Sequence, residues 1–448
     1  TQRIYSMAQN VVLISEQELL KAACCNLSES FETNPAVDVN HSDALTGSKK
    51  IEMLGLKSPY ILITEENIPM VRGASQAFGL SFTPGTWVES IQVTKGMGSV
   101  VNGFESIAGQ INAELKKPIN DIPLFLNGFY GFDGRIEMNA HLNEKVSEKV
   151  TTTFFLHHNR RDKINDKNND GFLEKPLQDQ NNFLNKWQYT DALNGIVGFF
   201  NIRYLDDEKI FGMNSNESRN VWNGEISTKR FDSSFKLGYV NPNLPFQSLG
   251  VQLAYSSHDQ NSLYGFRNYD INQNSFFSNV VYNSIITNTQ NKIKFGLNYT
   301  SDVYDEILNR RDVGRKDNSF GGFFEYSFDN FNNLNFVAGL RYDTHNNMGS
   351  FFTPRFHLRY TPLDRFTVKA SYGQGRKIAN IYPENQQMFY SNRSIEIINS
   401  TPENSTYGLN PEKATNYGLS LDKGFNLFGG QGNFIIDYFK TDFDDKVI

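Results

Sequence analysis

The stretch WVESIQVTKGMGSVVNGFESIAGQINAELKKP, residues 87–118, divides the sequence into two parts of different character. Ile91 and Val93 alternate with polar neighbours before its centre, and Ile111 and Ala113 do so after it, which is the period of a half-buried strand. Glycines crowd the segment between these predicted strands, at Gly96, Gly98, Gly103 and Gly109. Glycine at this density allows tight turns and close packing of backbone against backbone. The sequence before the stretch predicts a small mixed α/β domain, and the sequence after it predicts a long series of amphipathic strands.

The composition leaves two classes of β-protein open. The 448 residues allow more than one domain, and 37 Phe and 21 Tyr raise the aromatic share to 14% while overall hydrophobicity is only 39%. No apolar run approaches the ~18 residues that a membrane helix needs. A transmembrane β-barrel hides its lipid face in alternation, so a large soluble β-protein and a membrane barrel both fit. The net charge of −6 and the lack of a basic stripe argue against nucleic acid as a partner.

The first part of the chain carries the signals of a small α/β domain. Ser15 and Glu18 have the spacing of a capping box, which predicts a helix beginning here and running to about Glu32. Short apolar runs predict strands at residues 9–14, 53–56 and 60–64.

The second part alternates cleanly between apolar and polar residues. In RIEMNAHLN, for example, Ile136 and Met138 point one way, and Glu137 and His141 point the other. Counting such segments predicts about fifteen strands, joined by connections that are short and long in turn. Long connections are expected at residues 160–186, 258–275 and 376–413. The strand count and the charged second face favour an antiparallel transmembrane β-barrel, whose short turns and long loops lie at opposite ends.

Several of these segments resemble TonB-dependent outer-membrane receptors. ESIQVTKGMGSVVNGFESIAGQINAELKK is similar to the end of the plug domain in that family, and TPRFHLRYTP and LNPEKATNYGLSL are similar to parts of its barrel. The resemblance implies a plug domain at residues 1–118 and a barrel at residues 119–448. It also implies 22 barrel strands, so about seven are expected beyond this C-terminus, and the N-terminus is expected to be incomplete. The family's N-terminal TonB box does not occur here, and its Asp-Gly plug turn is replaced by Glu65, Glu66 and Asn67.

The resemblance implies active import of a scarce solute across the bacterial outer membrane. The ligand is expected to be an iron–siderophore or another metal complex, which is moved without a change in its bonds. The implied partners are TonB with its inner-membrane energising complex, the ligand, and the lipid of the outer membrane. A copper or zinc importer, a glycan or vitamin importer and a non-transporting surface binding barrel stay open. No serine–histidine–acid constellation, P-loop or zinc-protease motif supports an enzyme.

In the family, the plug apex and the outer loops touch the ligand. The residues that would do so here lie in the predicted apical loop, residues 68–84, and in two predicted outer loops. They are Met70, Arg72, Gln76 and Phe78; Tyr264, Arg267 and Tyr269; and Tyr382, Asn385, Gln386, Tyr390 and Arg393. Tyr, Asn and Arg suit an adaptable recognition surface, and loops as long as these are often functional. A solvated plug loop and aromatic residues at a membrane boundary are the alternative interpretation.

Cys24 and Cys25 are the two cysteines of the chain, and they are adjacent. Three interpretations stay open: small buried residues on the plug helix, a strained vicinal disulfide, and thiolate ligands of copper(I) or zinc. His41 and Met53 are candidate additional ligands for such a soft metal.

The segment DKNNDGFLE is a candidate calcium loop. Asp166, Asn168 and Asp170 stand at alternate positions before a glycine, as in the first half of an EF-hand loop. The twelfth position is Leu177 where the motif has a bidentate Glu, and Glu174 is the expected substitute ligand. A plain polar turn is the alternative.

Overall fold

The computed structural model describes residues 2–3, 7–21, 26–32, 34–41, 43, 45–213, 222–398, 400, 407–427 and 429–447. The N-terminal part has the strands β1 (Gln2–Arg3), β2 (Asn10–Ser15), β3 (Asp38–His41), β4 (Lys49–Met53), β5 (Leu56–Lys57), β6 (Ile61–Glu65), β7 (Ile68–Pro69), β8 (Val88–Lys95) and β9 (Gly109–Leu115). It also has the helix α1 (Glu16–Lys21) and 3-10 helices at Glu29–Phe31, Ser58–Tyr60, Gly73–Gln76, Gly79–Ser81, Gly85–Trp87 and Val100–Asn102.

The plug is built on a six-stranded sheet in the order β1-β2-β8-β9-β6-β7, with β3, β4 and β5 in a second, small sheet. The two strands predicted around the glycine-rich stretch, β8 and β9, pair with each other, and β9 also pairs with β6 in parallel. Ile111 is buried as expected, but so are Gln110 and Asn112 on the opposite face of β9. The strand is therefore covered on both sides, because the sheet lies inside a barrel.

The predicted plug helix is shorter in the structure than in the sequence analysis. The backbone N–H of Ser15 donates to Glu18 Oε2 at 3.3 Å, which is one half of the expected capping box. Helix α1 then ends at Lys21, and after the four undescribed positions Asn26 pairs with Pro84 in an isolated bridge. The prediction of helix as far as Glu32 is thus wrong for residues 26–32, where tertiary pairing and a 3-10 turn replace it. No helix in the described ranges is long and apolar enough to cross a membrane.

The rest of the chain forms one antiparallel sheet of sixteen strands. They are β10 (Leu124–Tyr130), β11 (Arg135–Lys145), β12 (Val150–Arg161), β13 (Leu177–Asp191), β14 (Ile196–Gly212), β15 (Asn223–Val240), β16 (Ser248–Tyr264), β17 (Arg267–Ile286), β18 (Asn288–Leu308), β19 (Arg311–Asp312), β20 (Arg315–Asp329), β21 (Leu334–His345), β22 (Gly349–Leu363), β23 (Phe366–Lys377), β24 (Glu412–Leu427) and β25 (Gly430–Asp444). Fifteen of them follow one another in sequence order, and β19 pairs with β18 beside that path. A short helix α2 (Ile381–Glu384) and a 3-10 helix at Gln386–Tyr390 lie between β23 and β24.

Burial in this sheet is the reverse of burial in a soluble protein. On β11, the side chain of Met138 is 61% exposed, whereas Glu137 is 2% exposed and His141 is 0% exposed. The apolar face points outward to lipid and the polar face points inward onto the plug, as in a plugged membrane barrel. The predicted fold class, an antiparallel transmembrane β-barrel with an N-terminal plug, is confirmed.

The connections fall into two sets at opposite ends of the barrel. The long ones, at residues 162–176 and 378–411, share what we call the outer end, and turns such as residues 146–149 and 192–195 lie at the inner end. The long loop expected at residues 258–275 is wrong, because β16 and β17 continue through it and meet at Gly265 and Phe266. These strands carry polar residues on both faces near their outer ends, so the alternation that marks a strand disappears there.

Candidate ligand-binding site

A cleft of about 1220 Å³, open to solvent, lies at the outer end between the plug and strands β10 to β14. We call it the vestibule. The turn after β10 and the loop between β12 and β13 form its wall, and plug residues near positions 26–29, 41–49 and 77–81 form its floor. Its basic side chains outnumber its carboxylates. They are Lys49, Arg135, Arg161, Lys163, Lys167, Lys175 and Lys209, against Glu29, Asp43, Asp133 and Glu174.

Asp133 is the carboxylate that organises the rim of the vestibule. It lies 2.8 Å from the ammonium of Lys175 and 3.3 Å from the guanidinium of Arg161. Partial burial opposes ionisation, but these cations outweigh it and lower the pKa of Asp133 to about 2. Lys163 and Lys167 are exposed and belong to no ion pair within the described part of the chain. Their charge is therefore free to act on a solute in the cleft.

The plug hairpin between β6 and β7 reaches the barrel wall toward the inner end. Its two loop residues, Glu66 and Asn67, have φ of 52° and 63°, so the Glu-Glu-Asn sequence forms the left-handed two-residue turn that Asp-Gly usually makes. Glu66 is buried, where its carboxylate forms ion pairs with Lys186 of β13 and, at 3.0 Å, with Lys236 of β15. Burial opposes ionisation of Glu66, but the two ammonium groups outweigh it and lower its pKa to about 2.

Glu65, the neighbouring residue, makes a second contact of the same kind. Its carboxylate lies 3.3 Å from the guanidinium of Arg203 in β14, which also contacts Thr83 Oγ1 at 3.3 Å. The hairpin tip thus presents two carboxylates to cations from three successive barrel strands.

A second, much smaller cavity, of about 90 Å³, lies between this hairpin and the lumen wall formed by β14 to β18. We call it the wall cavity. Met70 and Arg72 line it from the plug side. Arg72 Nη2 is 2.5 Å from Asp302 Oδ2 of β18. The other carboxylate oxygen, Asp302 Oδ1, accepts hydrogen bonds from Gln273 at 3.1 Å and Ser275 at 2.5 Å.

The long outer loop after β23 folds into the barrel and packs aromatic rings against the wall. The ring of Phe389 lies 4.8 Å from that of Tyr269 and 5.4 Å from that of Tyr264, and Tyr390 lies 5.5 Å from Tyr264. Tyr264 also donates to Gln386 Oε1 at 2.7 Å. Loop and wall therefore form one buried aromatic cluster.

Polar contacts fix the same loop at both of its ends. Near the end of the loop, Tyr407 donates to Glu306 Oε2 of β18 at 2.7 Å. Near its start, Lys377 lies 2.6 Å from Glu384, whose backbone carbonyl accepts a hydrogen bond from Lys50 of the plug at 2.9 Å. The loop thus connects plug and barrel.

The structure separates the residues predicted to contact ligand into three places. Phe78 lines the vestibule, and Met70 and Arg72 line the wall cavity. The third place is the aromatic cluster, which holds Tyr264, Tyr269, Tyr382, Gln386 and Tyr390.

The other predicted residues make local contacts. Gln76 is buried and donates to Ser58 Oγ at 2.9 Å. Arg267 donates to the backbone carbonyl of Arg393 at 2.9 Å, and the Asn385 amide donates to the carbonyl of Ile381 at 2.9 Å. The apical segment 68–84 is mostly buried, so it is not a solvated loop. Ligand contact by these residues stays a prediction.

The predicted metal sites receive no support from the geometry. Cys24 and Cys25 lie outside the described residues. In the segment DKNNDGFLE, Asp166 Oδ2 accepts from the backbone N–H of Gly171 at 3.1 Å, and Glu174 Oε1 accepts from that of Lys167 at 3.0 Å. Asp170 likewise accepts from Asn168 Nδ2 at 2.9 Å. Over the described ranges, no group of three or more His, Cys, Asp or Glu side chains is arranged to hold a metal ion.

Two family models match the sequence. Residues 3–110 match the TonB-dependent Receptor Plug Domain, and residues 156–448 match the TonB dependent receptor-like beta-barrel. The chain belongs to the TonB-dependent receptor family. The receptor therefore resides in the bacterial outer membrane, in a family of receptors and transporters that work with TonB.

Solved structures share its fold at low sequence identity. The siderophore receptor PirA from Acinetobacter baumannii superposes with a TM-score of 0.77 at 13% identity, covering 97% of this chain and 71% of PirA. A mutant of the ferric enterobactin receptor PfeA from Pseudomonas aeruginosa, in complex with enterobactin, superposes with a TM-score of 0.74 at 14% identity, covering 97% of this chain and 72% of PfeA. The alcaligin receptor FauA from Bordetella pertussis superposes with a TM-score of 0.72 at 14% identity, covering 98% of this chain and 71% of FauA.

Proposed function

We propose that the receptor imports an iron–siderophore complex across the outer membrane, driven by TonB. Membership in the family supports active import, and the structural neighbours named above carry siderophores in their names. The inner end of the barrel, where the plug leads into β10, faces the periplasm and the energising partner. The ligand enters from the outer end and leaves unchanged.

The observation that carries this proposal is the excess of basic side chains in the vestibule. Siderophores hold Fe³⁺, a hard cation, through deprotonated oxygens, so their ferric complexes commonly carry negative charge. A cleft with an excess of one sign of charge concentrates ligands of the opposite sign and raises their association rate. Lys163 and Lys167, which belong to no ion pair among the described residues, provide that charge at the rim of a receptor whose net charge is −6.

The predicted contact residues take different roles in this proposal. Phe78 contacts the ligand at the vestibule floor. The ammonium of Lys209 lies over its ring, 5.2 Å from the centroid. The aromatic cluster holds the outer loop over the plug, and its members reach the ligand only when that loop lifts. The plug domain of the proposal, residues 1–118, ends in the connection between β9 and β10.

Equilibrium binding to the purified receptor tests the ligand class, with its three tryptophans as fluorescent reporters. The panel contains ferric catecholate, hydroxamate and hydroxycarboxylate siderophores, copper(II), zinc(II), a corrinoid vitamin and a malto-oligosaccharide. We expect saturable binding of one ferric siderophore and weaker binding of the same siderophore without iron. Binding of the vitamin or the oligosaccharide alone would contradict the proposal. Binding of copper or zinc by the parent that is lost in a Cys24→Ser/Cys25→Ser variant would also contradict the proposal.

A further inference from the structure

Three phenylalanine rings line the vestibule from its floor to its rim. Phe78 is buried at the floor, Phe129 is 39% exposed on the wall, and Phe132 is 98% exposed in the turn between β10 and β11. Phe129 faces the lumen together with Glu137, its partner on β11. A single exposed ring is common on a protein surface, but several rings along one cleft form an apolar track that a ligand can cover.

The turn that carries Phe132 is held in one conformation. The backbone N–H of Gly131 donates to the carbonyl of Arg135 at 2.8 Å, and that of Gly134 donates to the carbonyl of Gly131 at 2.9 Å. The next residue after Phe132 is Asp133, whose carboxylate is fixed by the cations of the vestibule rim described above. A ring presented on such a turn loses little conformational entropy when a ligand covers it.

Ammonium groups accompany the rings at both ends of this track. At the floor, Lys209 lies over the ring of Phe78, 5.2 Å from its centroid. At the rim, the side chain of Lys163 packs against the turn at Gly134, which has φ of 87°, and a Cβ added at Gly134 would overlap the Cβ of Lys163. Lys163 belongs to no ion pair within the described ranges. The rim therefore presents an uncovered ring and an available positive charge on adjacent segments.

We propose that the vestibule selects ferric complexes of catecholate siderophores, and that Phe132 is a specificity-determining contact of the catechol rings. This inference rests on the proposed import of an iron–siderophore complex. Catecholates bind Fe³⁺ through the oxygens of aromatic rings, and their complexes carry several negative charges. Hydroxycarboxylate complexes are anionic but lack rings, and tris-hydroxamate complexes lack both rings and a net negative charge. The catecholate class alone matches a cleft that offers ring faces and cations together.

The ring and the ammonium groups act on different parts of such a ligand. An offset or edge-on contact with Phe132 needs an aromatic partner, so it favours catecholates over other ferric complexes. Lys163 and Lys167 attract the negative charge of any anionic complex, whether or not it contains a ring. Removal of Phe132 should therefore weaken the binding of catecholates selectively, whereas removal of the lysines should weaken the binding of every anionic complex.

Equilibrium dialysis of the purified receptor against radioiron-labelled complexes tests the inference. The probes are a ferric tris-catecholate siderophore, a ferric hydroxycarboxylate siderophore and a ferric tris-hydroxamate siderophore. We expect the parent receptor to bind the catecholate complex most tightly. Phe132→Ala should weaken the binding of that complex about tenfold, because it loses both the aromatic contact and the area that the ring covers.

Matched variants separate the ring from its surroundings. Phe132→Tyr keeps the ring and should keep the affinity for the catecholate complex. Phe132→Leu keeps apolar volume without a ring and should behave like Phe132→Ala. Phe266→Ala is the control, because Phe266 also follows a Tyr-Gly pair in an outer turn and is 88% exposed, but lies outside the lining of the vestibule. This control should bind the catecholate complex like the parent.

Several results would overturn the inference and leave the proposed import standing. They are tighter binding of the hydroxycarboxylate or the hydroxamate complex than of the catecholate complex, parent-like binding of the catecholate complex by Phe132→Ala or Phe132→Leu, and an equal loss in Phe266→Ala. Binding of none of the three iron complexes by the parent would contradict the proposed function itself, and the inference with it.

Discussion

Arg72 Nη2, in the plug, lies 2.5 Å from Asp302 Oδ2, in strand β18 of the barrel. Asp302 is buried, and the same guanidinium also lies 3.7 Å from Glu105 of the plug. Sequence analysis predicts Arg72 to be a ligand contact, yet in this conformation it joins the plug to the barrel. Charge pairs between residues far apart in the sequence thus help to fasten the plug, beside hydrogen bonds such as that from Ser99 to Glu325.

Removing Arg72 should loosen the plug. Arg72→Ala leaves the buried carboxylate of Asp302 without its cation, and breaking a buried pair in this way costs about 3–5 kcal/mol. In the Arg72→Ala receptor we expect the plug to unfold at a lower urea concentration than the barrel does. Protease digestion of residues 1–118 follows the unfolding of the plug. Arg72→Lys is the control, because it keeps the charge but loses the planar guanidinium. The stability of its plug should lie between that of the parent and that of Arg72→Ala. Identical protection in all three proteins would contradict this assignment.

The Glu66 pair predicts how plug closure depends on pH. Because the pKa of Glu66 is lowered from 4.5 to about 2 when the plug is docked, its stabilisation is fully present above pH 4.5. It is lost as the pH falls from 4.5 through about 2, and the difference corresponds to about 3 kcal/mol. We expect bilayer conductance of the parent to stay low down to pH 4.5 and to rise below it. The Glu66→Gln receptor should lack that acidic rise, and an unchanged rise in this variant would contradict the role of Glu66.

The lysines of the vestibule rim should control ligand capture. Replacing Lys163, Lys167 and Lys175 together with Glu reverses the charge at the entrance, so we expect the association rate of an anionic ferric siderophore to fall at least tenfold. The loss should shrink at high salt, because exposed charges are screened. Lys145→Glu, at the inner end, is the control and should bind like the parent. Equal association rates at low salt would show that these lysines do not attract the ligand.

The outer loop should be released when its contact with β18 is removed. Tyr407→Phe deletes the hydroxyl that donates to Glu306, and Glu306 is buried. We expect amide hydrogen exchange over residues 381–390 to become about five- to tenfold faster, which corresponds to the loss of a hydrogen bond worth ~1 kcal/mol. Tyr438→Phe, on an exposed outward face of β25, is the matched control. Unchanged exchange in the Tyr407 variant would show that the loop is held elsewhere.

The barrel could be predicted from the sequence because its two environments differ at every second residue. Met138 and Glu137 alternate in the sequence and face lipid and lumen in the structure. Where both faces are polar, as at Asp259 and Asn272 near the outer end, the same reasoning predicts a loop where a strand continues. The plug helix fails for a different reason: Asn26 pairs with Pro84, and this tertiary contact overrides a local helix signal.

The site could be predicted only in part, because its contacts join distant positions. Glu66 departs from the family's turn and is visible in the sequence, but Lys186 and Lys236 follow it by 120 and 170 residues. A lysine inside an alternating strand gives no sign of which plug residue it meets. The contacts of the vestibule could not be predicted for the same reason, since the register of β11 and β12 brings Arg161 and Asp133 together.

Accumulation of ⁵⁵Fe by iron-starved cells tests the central claim most directly. The cells carry this receptor as their one outer-membrane route for the ferric siderophore that binds the purified protein, and uptake is measured with TonB present, with TonB deleted, and with the proton gradient collapsed. We expect steady accumulation in the first case and surface binding without accumulation in the other two. Equal accumulation in all three would show that the barrel does not depend on TonB, and binding without accumulation in any of them would make it a surface receptor that does not transport.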